Sequence, residues 1–216
     1  MLIPVLDRPQ NVQPLADSFE RGESGGALMF LVNGSDTAEI AALKAAQTLY
    51  MVVPEDYATW PEKIEWAWLN LYLPEWVLLG ADDLDFHPGW WEVTQPFRDA
   101  NIFQVIGTND LGNARVMSGE HTCHPLVHRD FVGLDGISPV HTGYFHWKVD
   151  DELVATAKAK GVWSFCTWSV IEHLHPYWGK SEWDATYALG ESRAAEDILL
   201  WEKRSPMIEE LCTTAS

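Results

Sequence analysis

Three carboxylates crowd into four residues at Asp82-Asp83-Leu84-Asp85, directly after the apolar run Trp76-Val77-Leu78-Leu79-Gly80. Acids this close repel one another unless water or a cation neutralises them. Hard oxygen ligands of this kind suit Mg²⁺ or Mn²⁺, ions that keep coordination positions open for substrate phosphates. A solvated turn whose Asp caps the next helix is the plainer alternative, but a position straight after a buried strand favours the metal. Asp83 and Asp85 are two residues apart, a spacing that places both on one side of an extended segment. A second acidic group, Lys148-Val149-Asp150-Asp151-Glu152, opens a helix that closes at Gly161. Taken alone, it reads as ordinary first-turn acids complementing a helix dipole. A third stretch, Glu172-His173-Leu174-His175-Pro176, holds two histidines that face the same way if the segment is extended. Either suits a metal or a hydrogen bond at a strand end, and Lys180 offers a point charge for a diphosphate. His121, Cys123, His124 and His128 lack the spacing of a closed zinc site.

Strands and helices must position these groups. Leu2–Leu6, Ala27–Val32, Leu49–Val53, Trp76–Gly80, Ile102–Ile106 and Val162–Ile171 are short apolar runs. Asn11–Glu20, Ala38–Leu49, Trp60–Tyr72, residues 88–99 and Val149–Lys160 carry helical spacing or helix-start signals. The stretch from Gly107 to Gly143 has no clear period. Strands alternating with helices, with continuously apolar strands, predict an α/β domain whose mostly parallel sheet is covered on both faces. Ligands of such sheets lie beyond the carboxyl ends of the strands. Polar residues suited to a site stand at five of those ends: Asp7-Arg8, Ser35-Asp36, Asp82 to Asp85, Thr108-Asn109-Asp110 and His173 to His175.

Composition narrows the classes. The 216 residues are 47% hydrophobic and 21% charged, which excludes a disordered chain. No apolar run is long enough to cross a membrane, the first residues do not resemble a signal peptide, and three cysteines are too few for a disulfide scaffold. A cytoplasmic protein without a membrane partner is expected. The net charge of −18 opposes general capture of nucleic acid. Residues 101–180 are nearly neutral, with six basic and eight acidic side chains and seven of the eight histidines.

The stretch Asp82-Asp83-Leu84-Asp85-Phe86-His87-Pro88-Gly89-Trp90 resembles the DxD region of GT-A glycosyltransferases, especially small phage-encoded members. Val5 to Pro9, Asn33 to Asp36, Lys63 to Asn70 and Glu172 to Tyr187 extend the likeness across most of the chain. The resemblance implies a single GT-A domain over residues 1–205 with a C-terminal tail, 206–216. It implies a nucleotide-diphosphate sugar donor, UDP-linked by preference, and Mn²⁺ or Mg²⁺. It assigns the metal to Asp83, Asp85 and one of His173 and His175, and the donor to Asp7, Arg8, Asp36, Lys63, Asp82, Asp83 and Lys180. Asp150 or Asp151 becomes the base of an inverting transfer, with the count from Leu153 and Gly161 favouring Asp150. Trp90, Arg115, His141, Tyr144 and Trp147 are expected on the acceptor side, with the cluster of His121, Cys123, His124 and His128 and with Arg129. The leading acceptor is a hydroxymethylated base in viral DNA, with a protein or glycan hydroxyl as the alternative. A nucleotidyltransferase is disfavoured because Asp7-Arg8-Pro9-Gln10 is no glycine-rich phosphate loop, and a non-catalytic sugar-nucleotide-binding module because the acids and histidines are all retained.

Overall fold

A computed structural model describes residues 1–214 and shows one α/β unit built on two sheets. The first sheet is parallel, in the order β1 (Leu2–Pro4), β2 (Met29–Asn33), β3 (Leu49–Val53). The second is mixed, in the order β4 (Trp76–Leu78), β7 (Leu126–His128), β6 (Val105–Asn109), β8 (Trp163–His173), β5 (Leu84–Phe86). Here β6 and β8 run parallel and the other pairs antiparallel. A parallel bridge from Leu2 to Leu79 joins the two sheets. That junction needs Gly80, where a Cβ would stand 2.5 Å from Ile3 Cδ1.

The apolar runs become strands because each feeds two cores. Ile3, Phe30, Val32, Leu78 and Ile106 pack on one face with α1 (Pro9–Arg21) and α2 (Thr37–Ala45). Leu2, Leu31, Val77, Leu79 and Val105 pack on the other with α3 (Trp60–Asn70) and α6 (Val149–Ala159). Period-two alternation sends neighbours to opposite faces, so both must be apolar. A Thr59–Glu62 capping box starts α3.

The 88–99 segment is a turn, a 3₁₀ turn at Glu92–Thr94 and a short α4 (Gln95–Asp99). The strand expected over Ile102–Ile106 begins at Val105, after a reversal with Asn101 at φ +55°. The aperiodic stretch hides α5 (Ala114–Met117) and β7, too short to show a period. The last helix, α7 (Ala185–Thr214), runs without interruption across position 205, through the segment expected as a tail. No helix among the described residues is long and apolar enough to cross a membrane.

Helix α7 is tied to α6 by a buried ion pair: Arg204 meets Glu152 through Nε (2.7 Å) and Nη2 (2.8 Å). Tyr144 donates its hydroxyl to Glu152 Oε2 at 2.8 Å, and Asp135 takes Arg204 Nη2 at 2.9 Å. Removing one partner of such a pair strands a buried charge, whereas removing both is far milder. Arg204→Met is therefore expected to cost about 3–5 kcal/mol and to lower the melting temperature by roughly 6–20 °C for a chain of this size. The double variant with Glu152→Met should recover most of that loss in the same melts. A single-variant loss below about 1 kcal/mol, the worth of a surface pair, overturns the assignment.

Candidate active site

A cleft of about 350 Å³ opens at the ends of β1 and β4, beside the C-terminal end of β8 and the start of α6. Asp82 and Asp83 form its acidic floor, both less than a tenth exposed. Arg8, carried out of β1, points Nη1 at Asp82 (3.1 Å) and Asp83 (3.7 Å) and Nε at Asp184 (2.9 Å). Its guanidinium lies 3.7 Å over the Tyr187 ring, and the Tyr187 hydroxyl donates to Asp83 Oδ2 at 2.7 Å. His173 Nε2 stands 3.3 Å from the same oxygen. Burial alone pushes the Asp83 carboxyl up, yet His173 and Tyr187 together hold it well below the usual carboxylate range. Asp82 moves the other way, raised by burial and by the Asp83 charge. Burial opposes charge on His173 as well, but Asp83 raises its proton affinity above the ordinary value.

His175 also lines the cleft, stacked on Tyr177 and accepting the Tyr177 amide at Nδ1. Burial and the neighbouring His173 lower it to about 4, so it is a neutral ring at physiological pH. His124 is pushed to about 3 by burial and His173, and neither of its ring nitrogens has a partner. The Asp83 Oδ1 and His173 Nδ1 atoms are likewise buried without a hydrogen-bond partner.

Across the cleft, Asp150 and Asp151 stand in the first turn of α6. Lys148 precedes them in a left-handed conformation at φ +69°. The approaching loop is pinned from α7, where the buried Asp197 carboxylate accepts the amides of Phe145 (2.7 Å), His146 (2.9 Å) and Trp147 (2.7 Å). Asp151 is bound by Arg115 (2.8 Å) and Lys148 (3.2 Å). Asp150 instead meets His121 Nε2 at 3.0 Å, and against the effect of burial His121 holds it below the usual carboxylate range. Cys123 Sγ lies within 4.8 Å of ligand atoms of both His173 and Asp150, so the two sides of the cleft are within twice that distance of each other. The Cys123 thiol stays protonated, raised well above 9 by burial and by Asp150.

The structure thus brings together Arg8, Lys63, Asp82, Asp83, Arg115, Trp147, Asp150, Asp151, His173 and His175. It does not bring in Asp85. Bends at Asp82 and Asp83 break the extended alternation, and Asp85 pairs with Arg21 at 2.7 Å outside the cleft. Asp7 and Asp36 lie beside the cleft rather than in it: Asp36 caps α2 and takes the Asp7 amide at 2.9 Å. Lys180 reaches Glu172 (2.8 Å) and lines a neighbouring groove. Three residues expected on the acceptor side are elsewhere. Trp90 is in the core against Phe86, Tyr144 is buried on Glu152, and His141 binds Asp135 at 2.6 Å. His128 faces Glu75 and Asp130, away from His121 and Cys123. Asp184 and Tyr187, within the stretch that carries the resemblance, and Asp197 beyond it have no role assigned from the sequence. They stand on or just before a helix whose pattern gave no sign of a site.

No family model matches the sequence, and no curated protein matches it. In three dimensions the chain is similar to glucosyl-3-phosphoglycerate synthase from Mycobacterium tuberculosis in complex with phosphoglyceric acid. The TM-score is 0.63 at 13% identity, covering 98% of this chain and 79% of that one. The same synthase with Mn²⁺, uridine-diphosphate and glucosyl-3-phosphoglycerate gives 0.62 at 12% identity, covering 92% and 77%. A further mycobacterial protein gives 0.60 at 16%, covering 92% and 72%. The chain has the GT-A fold.

Behind Arg8 lies a buried acid–base pair. Lys63 Nζ donates to the Val5 carbonyl at 2.7 Å, and Glu39 Oε2 accepts the Arg8 amide at 2.9 Å, leaving Oε1 unpartnered. Burial lowers Lys63 to about 8 and raises Glu39 to about 7. A carboxyl raised above its unfolded value contributes stability that is full below pH 4.5 and lost as pH rises through about 7. Glu39→Gln, always neutral, should match wild type at pH 4 and melt higher at pH 8, by about 2–3 kcal/mol. A gap that does not change with pH in thermal melts overturns this account.

Proposed function

We propose that this protein is a metal-dependent glycosyltransferase that moves a sugar from a nucleotide-diphosphate donor, UDP-linked by preference, to an acceptor hydroxyl. One observation carries the reading. The buried Asp82–Asp83 pair and His173 sit at the strand-end cleft of a fold shared with a synthase whose structure holds Mn²⁺ and UDP. The residues fit such an ion: hard carboxylates and an imidazole, with the buried Asp83 Oδ1 and His173 Nδ1 unpartnered. Asp83 and His173, whose Oδ2 and Nε2 stand 3.3 Å apart, would hold Mn²⁺ or Mg²⁺, whose charge would stabilise the departing diphosphate.

The chain's own side chains do the rest. Arg8 supplies fixed positive charge beside the acids, and Asp150 takes the proton of the acceptor hydroxyl. The bond from the anomeric carbon to the diphosphate oxygen breaks as the bond to the acceptor oxygen forms, with inversion. Asp150 suits this role better than Asp151, which is bound by Arg115 and Lys148.

The acceptor expected from the sequence, a hydroxymethylated DNA base, finds little support in the cleft. Arg115 and Lys148 are the cations beside Asp150, and both are engaged by Asp151. A chain of net charge −18 adds no attraction for a polyanion. An uncharged hydroxyl, on a glycan or a protein side chain, fits this balance better.

Two outcomes test the reading. UDP with Mn²⁺ should raise the melting temperature, by the equivalent of about 2.7 kcal/mol at a hundredfold excess over Kd. Asp83→Asn should lose that shift, and a shift that survives in Asp83→Asn removes the acidic pair from the donor site. In turnover, followed as nucleotide release, Asp150→Ala should fall by roughly two to four orders of magnitude. Asp151→Ala should retain most of the activity. If the two variants exchange phenotypes, the base is Asp151.

A further inference from the structure

The Asp150 carboxylate has a buried partner for which the proton-transfer step alone gives no reason. His121 is 2% exposed in its side chain, while Asp150 is 27% exposed and faces the cleft. The imidazole is therefore a buried partner of the carboxylate, set in the wall of the same cleft. Its backbone is fixed to β6. Thr122 Oγ1 accepts the Thr108 amide at 3.1 Å and donates to the Thr108 carbonyl at 3.2 Å, and Thr108 Oγ1 donates to the His124 carbonyl at 2.7 Å. The Glu120 amide is held by the Arg115 carbonyl at 3.0 Å. A ring carried on so constrained a segment defines a position.

We propose that His121 is the positioning residue of Asp150: carrying a proton on Nε2, it donates to Asp150 Oδ2 and fixes the carboxylate plane toward the acceptor. The inference rests on the reading of Asp150 as the base. Two features of the site select this arrangement. Asp150 Oδ1 already accepts the Asp151 amide at 2.9 Å, so the imidazole bond to Oδ2 removes the remaining rotational freedom of the carboxylate. His121 Nδ1 is buried with no partner. A proton placed there would be an unsatisfied buried donor, a cost that the Nε2–H form avoids. In that form Nε2 has no lone pair, so His121 cannot relay a proton onward. Its work is orientation, and it favours the ionised carboxylate.

The test compares His121→Leu, which removes the donor, with His121→Gln, whose amide nitrogen comes close to the position of Nε2. The probe is nucleotide release from a panel of UDP-linked sugars with Mn²⁺ and water as the acceptor. His121→Leu should lower kcat about 10- to 100-fold, the usual effect of a misplaced catalytic group, with the KM for donor unchanged. Loss of a hydrogen bond to the charged form raises the Asp150 pKa, so the acid limb of the kcat profile should move to higher pH. His121→Gln should restore both. The UDP and Mn²⁺ melting shift, retained in both variants, shows that they fold. Long-range ¹H–¹⁵N spectra of the wild type should show the Nε2–H tautomer at His121 whatever the donor.

An Nδ1–H tautomer overturns the proposal, as does His121→Leu with wild-type kcat and acid limb, or His121→Gln no better than His121→Leu. Asp150→Asn separates this failure from that of the underlying reading. If it is inactive while His121→Leu is not, only the present inference falls. If Asp150→Asn is fully active, or if wild type releases no nucleotide from UDP- or GDP-linked sugars, the assigned base or the transferase reading fails and takes this inference with it.

Discussion

Two adjacent carboxylates buried on the floor of a cleft set the terms for the rest of this molecule. Asp82 and Asp83 are each less than a tenth exposed, and unpaired buried charges at that separation are not tolerated without neutralisation. The neutralising groups come from three distant parts of the chain: Arg8 after β1, His173 at the end of β8, and Tyr187 in α7. Each long-range feature of the topology delivers one of them. The Leu2–Leu79 bridge and the side-chain-free Gly80 lay β1 against the strand that carries the acids. Antiparallel pairing of β8 with β5 sets His173 opposite Leu84, next to Asp83. The start of α7 brings Tyr187 and, just before it, Asp184 over Arg8.

The opposite wall depends on α7 in another way. Phe145, His146 and Trp147 give three amides to one carboxylate, Asp197, a concentration of charge-assisted bonds that fixes a loop. The next residue, Lys148, takes a left-handed conformation that a side chain adopts at a cost. That strain is held by Asp197 on one side and by the Arg204–Glu152 pair on the other, and it aims the first turn of α6 into the cleft. The helix least suggestive in sequence is thus the one that closes the site.

What could be read in the sequence follows from what burial imposes on composition. The strands were legible because both faces are covered, which leaves continuous apolar runs. The acids after β4, the histidines ending β8 and the acids opening α6 were legible as residues of one cleft because polar side chains at strand and helix ends gather at that edge of such a sheet. Asp85 stands outside the cleft, beside His87 and Glu172, because an i, i+2 argument assumes a straight strand and the chain bends at Asp82 and Asp83. Trp90 and Tyr144 were misplaced because an aromatic ring next to a motif reads the same whether it faces the cleft or the core. The roles of Asp184, Tyr187 and Asp197 were not legible because their partners lie far away in sequence, and no local period marks a residue whose role is a tertiary contact.

The two acidic pairs share a design that neither shows alone. In each, one member makes its shortest ion pair with a side chain that is always charged and the other with an imidazole. Asp82 takes Arg8 while Asp83 takes His173. Asp151 takes Arg115 and Lys148 while Asp150 takes His121. The permanent cation cancels one charge of each pair and lowers the repulsion that two neighbouring carboxylates would otherwise impose. The second member is then free to remain ionised in a buried setting, held by an imidazole rather than by a bidentate guanidinium. On the Asp83 side, such a partner lets another cation compete for the carboxylate. On the Asp150 side, it leaves a fixed, charged oxygen turned toward the cleft. Neighbouring residues of identical chemistry are therefore made unlike by their partners, and that difference is what separates holding charge from using it.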